Sequence, residues 1–270
     1  MTTTPVGMRC PECSKQSTKV MRMRDMTKAP QVTYALITIN VIAFLAEGLV
    51  KGGRLTFASS LGGGSVYDKG TLLGSSAVPS FTGEGVAHGQ WWRIVTGGFL
   101  HENVLHIGFN MYVLYVLGMM LEPALGRIKF GVIYAVALLT GSLGALLVTP
   151  HSPIVGASGA VFGLMGAAAV EMRARQIPLM QSGVGGLILI NLIISFSIPG
   201  ISWGGHIGGL IGGALTASVI RLGDRHRAQA LALAGCALIA AASVSGAVAA
   251  AKSSEVQPGE SNPVGIVGPP

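Results

Sequence analysis

Residues 130–149 read FGVIYAVALLTGSLGALLVT, twenty consecutive positions without a charge. At about 1.5 Å per residue, a helix of that length reaches about 30 Å, the thickness of a bilayer's hydrocarbon core. A helix that is apolar all round has no face for water, so this stretch is expected to cross a membrane. Six further stretches qualify on either side of it, at 31–50, 103–121, 154–170, 179–198, 201–220 and 228–251. None of the seven holds Lys, Arg or Asp, and the one carboxylate inside their limits is Glu47, near an end. The expected fold is an all-α, polytopic helical bundle with seven transmembrane helices.

The composition leads to the same class. The chain of 270 residues carries 18 basic and 11 acidic side chains, 11% in all, where soluble domains carry about 25%. Half of the residues are hydrophobic and the mean hydropathy is +0.60. A soluble globule is excluded by the shortage of charge. A collagen-like chain is excluded because the 40 glycines have no three-residue period, and a disordered one by its apolar content. The first apolar stretch is too far from Met1 to be a cleavable signal.

The net charge of +7 is a topology signal. Arg9, Lys15, Lys19, Arg22, Arg24 and Lys28 precede the first span. Arg127, Lys129, Arg173, Arg175, Arg221, Arg225 and Arg227 lie in alternate loops on the same side. The other side has Lys51, Arg54, Lys69, Arg93 and Lys252. Cytoplasmic loops hold the excess of Lys and Arg, so the N-terminus is expected in the cytoplasm and the C-terminus outside, in a multi-pass plasma-membrane protein. No nucleic acid is needed to explain the charge, and the basic N-terminal segment suits contact with anionic lipid.

Polar groups inside spans are functional candidates by default. His106 and Asn110, four apart, share one face of the second span, with His101 five residues before them near its outer end. Gly156-Ala157-Ser158-Gly159 opens the fourth span, and His206 lies within Gly204-Gly205-His206-Ile207-Gly208-Gly209 in the sixth. Each has an ordinary structural explanation: a membrane-helix serine bonds its own backbone, and glycines four apart pack helices closely. The second, fourth and sixth spans all enter from the outer face, however, so Ser158, His206, His106 and Asn110 are expected at comparable depth. Glycines on the fourth and sixth spans would let a serine meet an imidazole, which is how a hydroxyl nucleophile is activated. His106, Asn110 and the Ser158 backbone N–H would then face a developing oxyanion.

With these residues in order, the chain resembles the rhomboid intramembrane serine proteases of bacterial type, over about residues 31–225. Gly156-Ala157-Ser158-Gly159 matches the nucleophile motif, and Gly205-His206-Ile207-Gly208-Gly209 matches the base motif. His106 and Asn110 match the oxyanion-side motif, His101 an upstream histidine, and Trp92-Arg93 a pair at the end of the long first loop. Glu122, with Gly126 and Arg127, matches the acidic and basic positions after the second span. Two positions depart from the pattern. Gly205 stands where alanine is frequent, and Phe162 stands where some members have a tyrosine against the histidine, which keeps a ring but loses a hydroxyl.

The resemblance implies a six-span core with one helix added at the C-terminus. The segments are then a cytoplasmic region 1–30, a core 31–225 with a long first loop 51–101, an added helix 226–251 and a disordered tail 252–270. It also implies a Ser158–His206 dyad, and no acidic residue falls near Ser158 to make a triad. Transmembrane proteins would be the substrates, cleaved near the outer face, with no cofactor. The first loop would brace the core, and the fifth span, with Gly183, Gly185 and Gly186, would flank the substrate gate. Two rivals belong to other classes. A non-proteolytic relative that binds membrane clients typically lacks the serine or the histidine. A transporter would be expected to carry mid-depth carboxylates and a two-half repeat.

Cys10-Pro11-Glu12-Cys13 has zinc-knuckle spacing, but tetrahedral zinc needs four ligands and the nearest histidine, His88, lies beyond the first span. Reduced cytosolic thiols, a zinc shared between two chains, or a start codon placed too late would each account for the pair. The last is favoured, because Thr4–Cys13 resembles the closing half of a short zinc ribbon that precedes some bacterial rhomboid cores.

Overall fold

The computed structural model describes residues 2–4, 7–9, 29–50, 66–75 and 83–255. Cys10 and Cys13 fall outside these residues, as does the tail beyond 255. Strands β1 (Thr2–Thr4) and β2 (Gly7–Arg9) form a small antiparallel ladder with Thr3 opposite Met8. Among the described residues the remaining regular structure is helical, and the protein is an all-α membrane protein apart from that ladder.

Nine α-helices follow among the described residues. They are α1 (Gln31–Val50), α2 (Val66–Gly70), α3 (Arg93–Thr96), α4 (Val104–Leu125), α5 (Arg127–Val148), α6 (Ser158–Ala174), α7 (Val184–Ser197), α8 (Trp203–Arg225) and α9 (Gln229–Ser253). The seven long ones coincide with the seven apolar stretches. By length and composition α4, α5 and α9 are each long and apolar enough to cross a membrane, while α7 is a shorter apolar helix. Helix α8 contains seven glycines and is among the least apolar, because its glycine faces pack on neighbouring helices.

Two glycine stripes on α8 meet two different helices. Gly204, Gly208 and Gly212 lie against Gly144 and Thr140 of α5, whereas Gly209 and Gly213 lie against Gly159 and Gly163 of α6. A side chain at any of these α8 positions would collide with the facing helix. Backbones approach this closely only where both surfaces are small. Residues from α4, α5, α6 and α8, including Leu114, Phe130, Leu164, Met165 and Ala217, form one continuous core.

Helix α1 is joined to α4 by a buried carboxylate. Glu122 accepts hydrogen bonds from Val32 N (2.9 Å), Thr33 N (2.8 Å) and Thr33 Oγ1 (2.7 Å). First-turn N–H groups have no intrahelical partner, so an anion there both satisfies them and complements the helix dipole. At the same end of the bundle, Lys129 on α5 pairs with Asp224 on α8, and Glu171 on α6 lies near Arg221 on α8. At the opposite end, Ser75 meets His151 and Ser254.

The structure departs from expectation at the fourth span. Residues 154–157 were expected to be helical, but α6 begins at Ser158 itself. Gly156 has φ +124°, a conformation closed to residues with a Cβ, and Pro153 precedes it. The chain therefore reaches Ser158 as a loop. This loop is held on both sides by other segments of the protein. Leu72 and Ile154 exchange backbone bonds of 3.0 and 2.9 Å, and Gly156 N donates to Gly97 O at 3.0 Å.

Candidate active site

The loop that holds Gly156 is itself organised around one buried cation. Arg93, 1% exposed, donates to Asp68 O (2.6 Å), Thr71 O (2.9 Å) and Gln90 Oε1 (2.7 Å), and pairs with Glu84. Burial lowers the guanidinium's pKa from its ordinary value, and Glu84 opposes that shift. Trp92, half exposed, donates from its indole to Lys69 O at 3.2 Å. Ser142 Oγ of α5 donates to Ile94 O at 2.7 Å, which ties α3 to the bundle. Arg93, the 70–75 segment, Ile154 and Gly156 thus form a continuous hydrogen-bonded support that ends two residues before Ser158.

Ser158 and His206 meet directly. Ser158 Oγ lies 2.7 Å from His206 Nε2, although the residues are 48 positions apart on separate helices. The imidazole is 8% exposed and stacks on the Phe162 ring, with centroids 4.2 Å apart and planes at 11°. Its other nitrogen, Nδ1, lies 2.6 Å from Ser195 Oγ of α7. Ser195 Oγ in turn donates to the backbone carbonyl of Asn191 at 2.6 Å. Both contacts of the imidazole edge and its stacked face are therefore fixed.

His101 and His106 meet edge to face, with centroids 5.1 Å apart. Ala157 N donates to His101 Nε2 at 3.5 Å, a long contact beside Ser158. His106 presses against Gly156, where a Cβ would come within 2.7 Å of His106 Nε2. Asn110 is buried, and its Nδ2 donates to His106 O at 3.0 Å. One of its two amide hydrogens is thereby used within α4, and Asn110 is among the residues that line the cavity. As the first residue of α6, Ser158 also presents a first-turn N–H that no intrahelical carbonyl can accept.

These groups line one cavity of about 440 Å³, with Ser158, His206, His106 and Asn110 joined by Ser195 and Asn191 of α7. The remaining lining is largely apolar, from Phe109, Val113, Leu138 and Ile198 among others, and includes one carboxylate, the exposed Glu102. The site thus pairs a hydroxyl with an imidazole nitrogen at a helix N-terminus, in a cavity that His106 and Asn110 also line. That arrangement suits acyl transfer. Gly159 lies in the contact with α8. Glu122 sits with α1, and Arg127 is exposed at the start of α5, so neither of these two lines the cavity.

Sequence reasoning missed Ser195. A serine in an apolar helix ordinarily donates to the carbonyl four residues back, and Ser195 does so. Its second contact, to a histidine on the next helix, depends on tertiary packing alone.

A protein-family model described as a Rhomboid domain matches residues 88–222, half of the chain. Among curated proteins, the chain is 33% identical over 196 residues to "Rhomboid protease GluP" of Bacillus subtilis, a match covering 72% of this chain and 35% of that protein. It is 33% identical over 135 residues to YdcA of the same organism, covering 48% of this chain and 68% of YdcA. It is 32% identical over 148 residues to "Rhomboid-like protease 3" of Toxoplasma gondii, covering 53% and 54%. The chain thus spans about a third of the length of GluP.

Proposed function

The chain belongs to the rhomboid family, and on that premise we propose that it is an intramembrane serine endopeptidase acting through a Ser158–His206 dyad. The 2.7 Å contact between Ser158 Oγ and His206 Nε2, inside a buried and largely apolar cavity, carries this reading. Ser158 Oγ attacks a peptide carbonyl carbon while His206 Nε2 takes the hydroxyl proton. The tetrahedral oxyanion is met by the Ser158 N–H, the second amide hydrogen of Asn110 and His106. The intermediate collapses as His206 gives its proton to the departing amine, which leaves an ester on Ser158. Water, deprotonated by His206, then hydrolyses the ester and restores the hydroxyl. With no carboxylate hydrogen-bonded to His206 among the described residues, each step is slower than in a Ser-His-Asp triad.

The substrates on this account are transmembrane segments, cleaved near the outer face. The topology that places Ser158 there is the one set by the basic loops, with the N-terminus cytoplasmic, the C-terminus outside and the enzyme in the plasma membrane among its lipids. Seven spans, a core over 31–225 and an added helix over 226–251 complete the arrangement. A substrate helix must unwind before its carbonyl can reach Ser158, so small or helix-breaking residues near its outer end are favoured.

Incubation of the purified protein with a type I membrane reporter tests this function. Wild type should cleave it and Ser158→Ala should not. Cleavage by both, or by neither across varied reporters, would favour a client-binding relative without proteolysis.

A further inference from the structure

The serine on α7 settles a question that the dyad leaves open: which imidazole nitrogen carries the proton. A neutral imidazole has one N–H and one bare nitrogen, and His206 is a base toward Ser158 only if Nε2 is the bare one. Three polar atoms stand in a row beyond Nδ1. His206 Nδ1 is 2.6 Å from Ser195 Oγ, and Ser195 Oγ is 2.6 Å from Asn191 O.

The Ser195 hydroxyl has one hydrogen to give. If it went to Nδ1, the hydroxyl oxygen and the Asn191 carbonyl oxygen would face each other at 2.6 Å with no hydrogen between them. If it goes to the carbonyl, Nδ1–H can donate to the hydroxyl and both short contacts are satisfied. Only the second arrangement is free of repulsion, and it places the imidazole hydrogen on Nδ1. It leaves Nε2 as the acceptor for the Ser158 hydroxyl at 2.7 Å.

We infer that Ser195 is a positioning residue that holds His206 in the Nδ1–H tautomer, at the place where a triad would have its acidic member; among the described residues no carboxylate hydrogen-bonds His206. It does not touch the reacting atoms. The inference rests on the proteolytic reading for its consequence in catalysis, but not for its geometry. When Nε2 takes the proton from Ser158, the imidazolium keeps its Nδ1–H on the Ser195 oxygen, whose own hydrogen stays on Asn191 O. No further proton moves. Such a chain polarises along its length and steadies the cation, though less than a carboxylate would.

Ser195 is 3% exposed, and it and Asn191 are the buried residues in the outer half of α7, four apart on one face. The flanking residues Ile190, Ile193 and Phe196 are exposed. The polar contact with His206 joins this part of α7 to α8, beside the packing of Leu192 on the core and the Phe196–Trp203 ring contact.

The test is a ¹⁵N histidine spectrum of the full chain in lipid, with the His206 signals identified by their loss in His206→Ala, together with reporter kinetics. Wild type should show a protonated, pyrrole-type Nδ1 and an unprotonated Nε2. Ser195→Ala should lose that single tautomer and lower kcat by about 10- to 100-fold at unchanged KM, the range for a charge-assisted hydrogen bond. Ser195→Thr, which keeps the hydroxyl, should restore both and covers the case in which the alanine variant folds poorly. A wild-type Nε2–H tautomer, or a Ser195→Ala protein with unaltered spectrum and kcat, would overturn the assignment. If wild type shows the Nδ1–H tautomer yet cleaves no reporter, the positioning role stands and the protease reading falls.

Discussion

Gly209 of α8 lies flat against the backbone carbonyl of Gly159 in α6, with no room between them for a methyl group. Gly159 follows Ser158 directly, and His206 is one turn of α8 before Gly209. The contact therefore fixes the distance over which Ser158 and His206 can hydrogen-bond. Gly213 against Gly163 repeats it one turn further along.

Gly209→Ala should push α8 away from α6 and open the 2.7 Å contact. Overpacking of this kind costs about 1–3 kcal/mol, so the variant should melt lower. Activity per folded molecule should also fall, by at least about ten-fold, because a misplacement near 1 Å is enough to cost much of the rate. Thermal unfolding and reporter cleavage on the same preparation check both. A variant that melts lower but cleaves normally would show that the helix spacing is not what aligns the pair.

Asn110→Ala should lower kcat by about 10- to 1000-fold, the range for losing one oxyanion donor, with little change in melting. His106→Ala should lower both activity and stability, since His106 is packed against His101 and Gly156. The comparison that matters is the ratio of activity loss to stability loss. Equal ratios for the two variants would remove Asn110 from the oxyanion site.

Glu122→Ala should act on folding alone. It would strand Val32 N, Thr33 N and Thr33 Oγ1 without an acceptor, at a cost of about 2–4 kcal/mol. Glu122→Gln should cost less, because its one oxygen still accepts. Melting curves with activity normalised to folded protein make the check. Lost activity at unchanged melting would place Glu122 in the chemistry instead.

Arg93→Lys should loosen the support under Gly156 although the charge is kept. A lysine cannot reach Asp68 O, Thr71 O, Gln90 and Glu84 together, as the planar guanidinium does. Limited proteolysis should then cut the first loop faster, and kcat should fall with it. Unchanged cleavage of the loop would show that the Leu72–Ile154 pairing holds the loop by itself.

What could be read from the sequence was what depends on solvent. Charges are excluded from hydrocarbon, so the seven apolar stretches marked the long helices, and the few polar groups inside them marked the site. Ser158 and His206 stood out because nothing in lipid requires a serine or a histidine there. The break before Ser158 was signalled by Pro153 and Gly156 but was masked by the apolar run around them. The partner of Glu122 lies 89 residues away in sequence, and Ser195 looks like any helix serine until α7 is packed beside α8. Both depend on tertiary contact, which no local pattern encodes.

The dyad is tested most directly by the rates of Ser158→Ala, His206→Ala and the double variant on one membrane reporter, alongside labelling by a fluorophosphonate. Two residues that act as one unit fail together, so each single change should abolish turnover and the double should be no worse than either. The probe should label wild type at Ser158 and leave His206→Ala unlabelled, with all variants inserted and folded. A double variant much slower than both singles, or labelling of Ser158 that survives His206→Ala, would contradict the account.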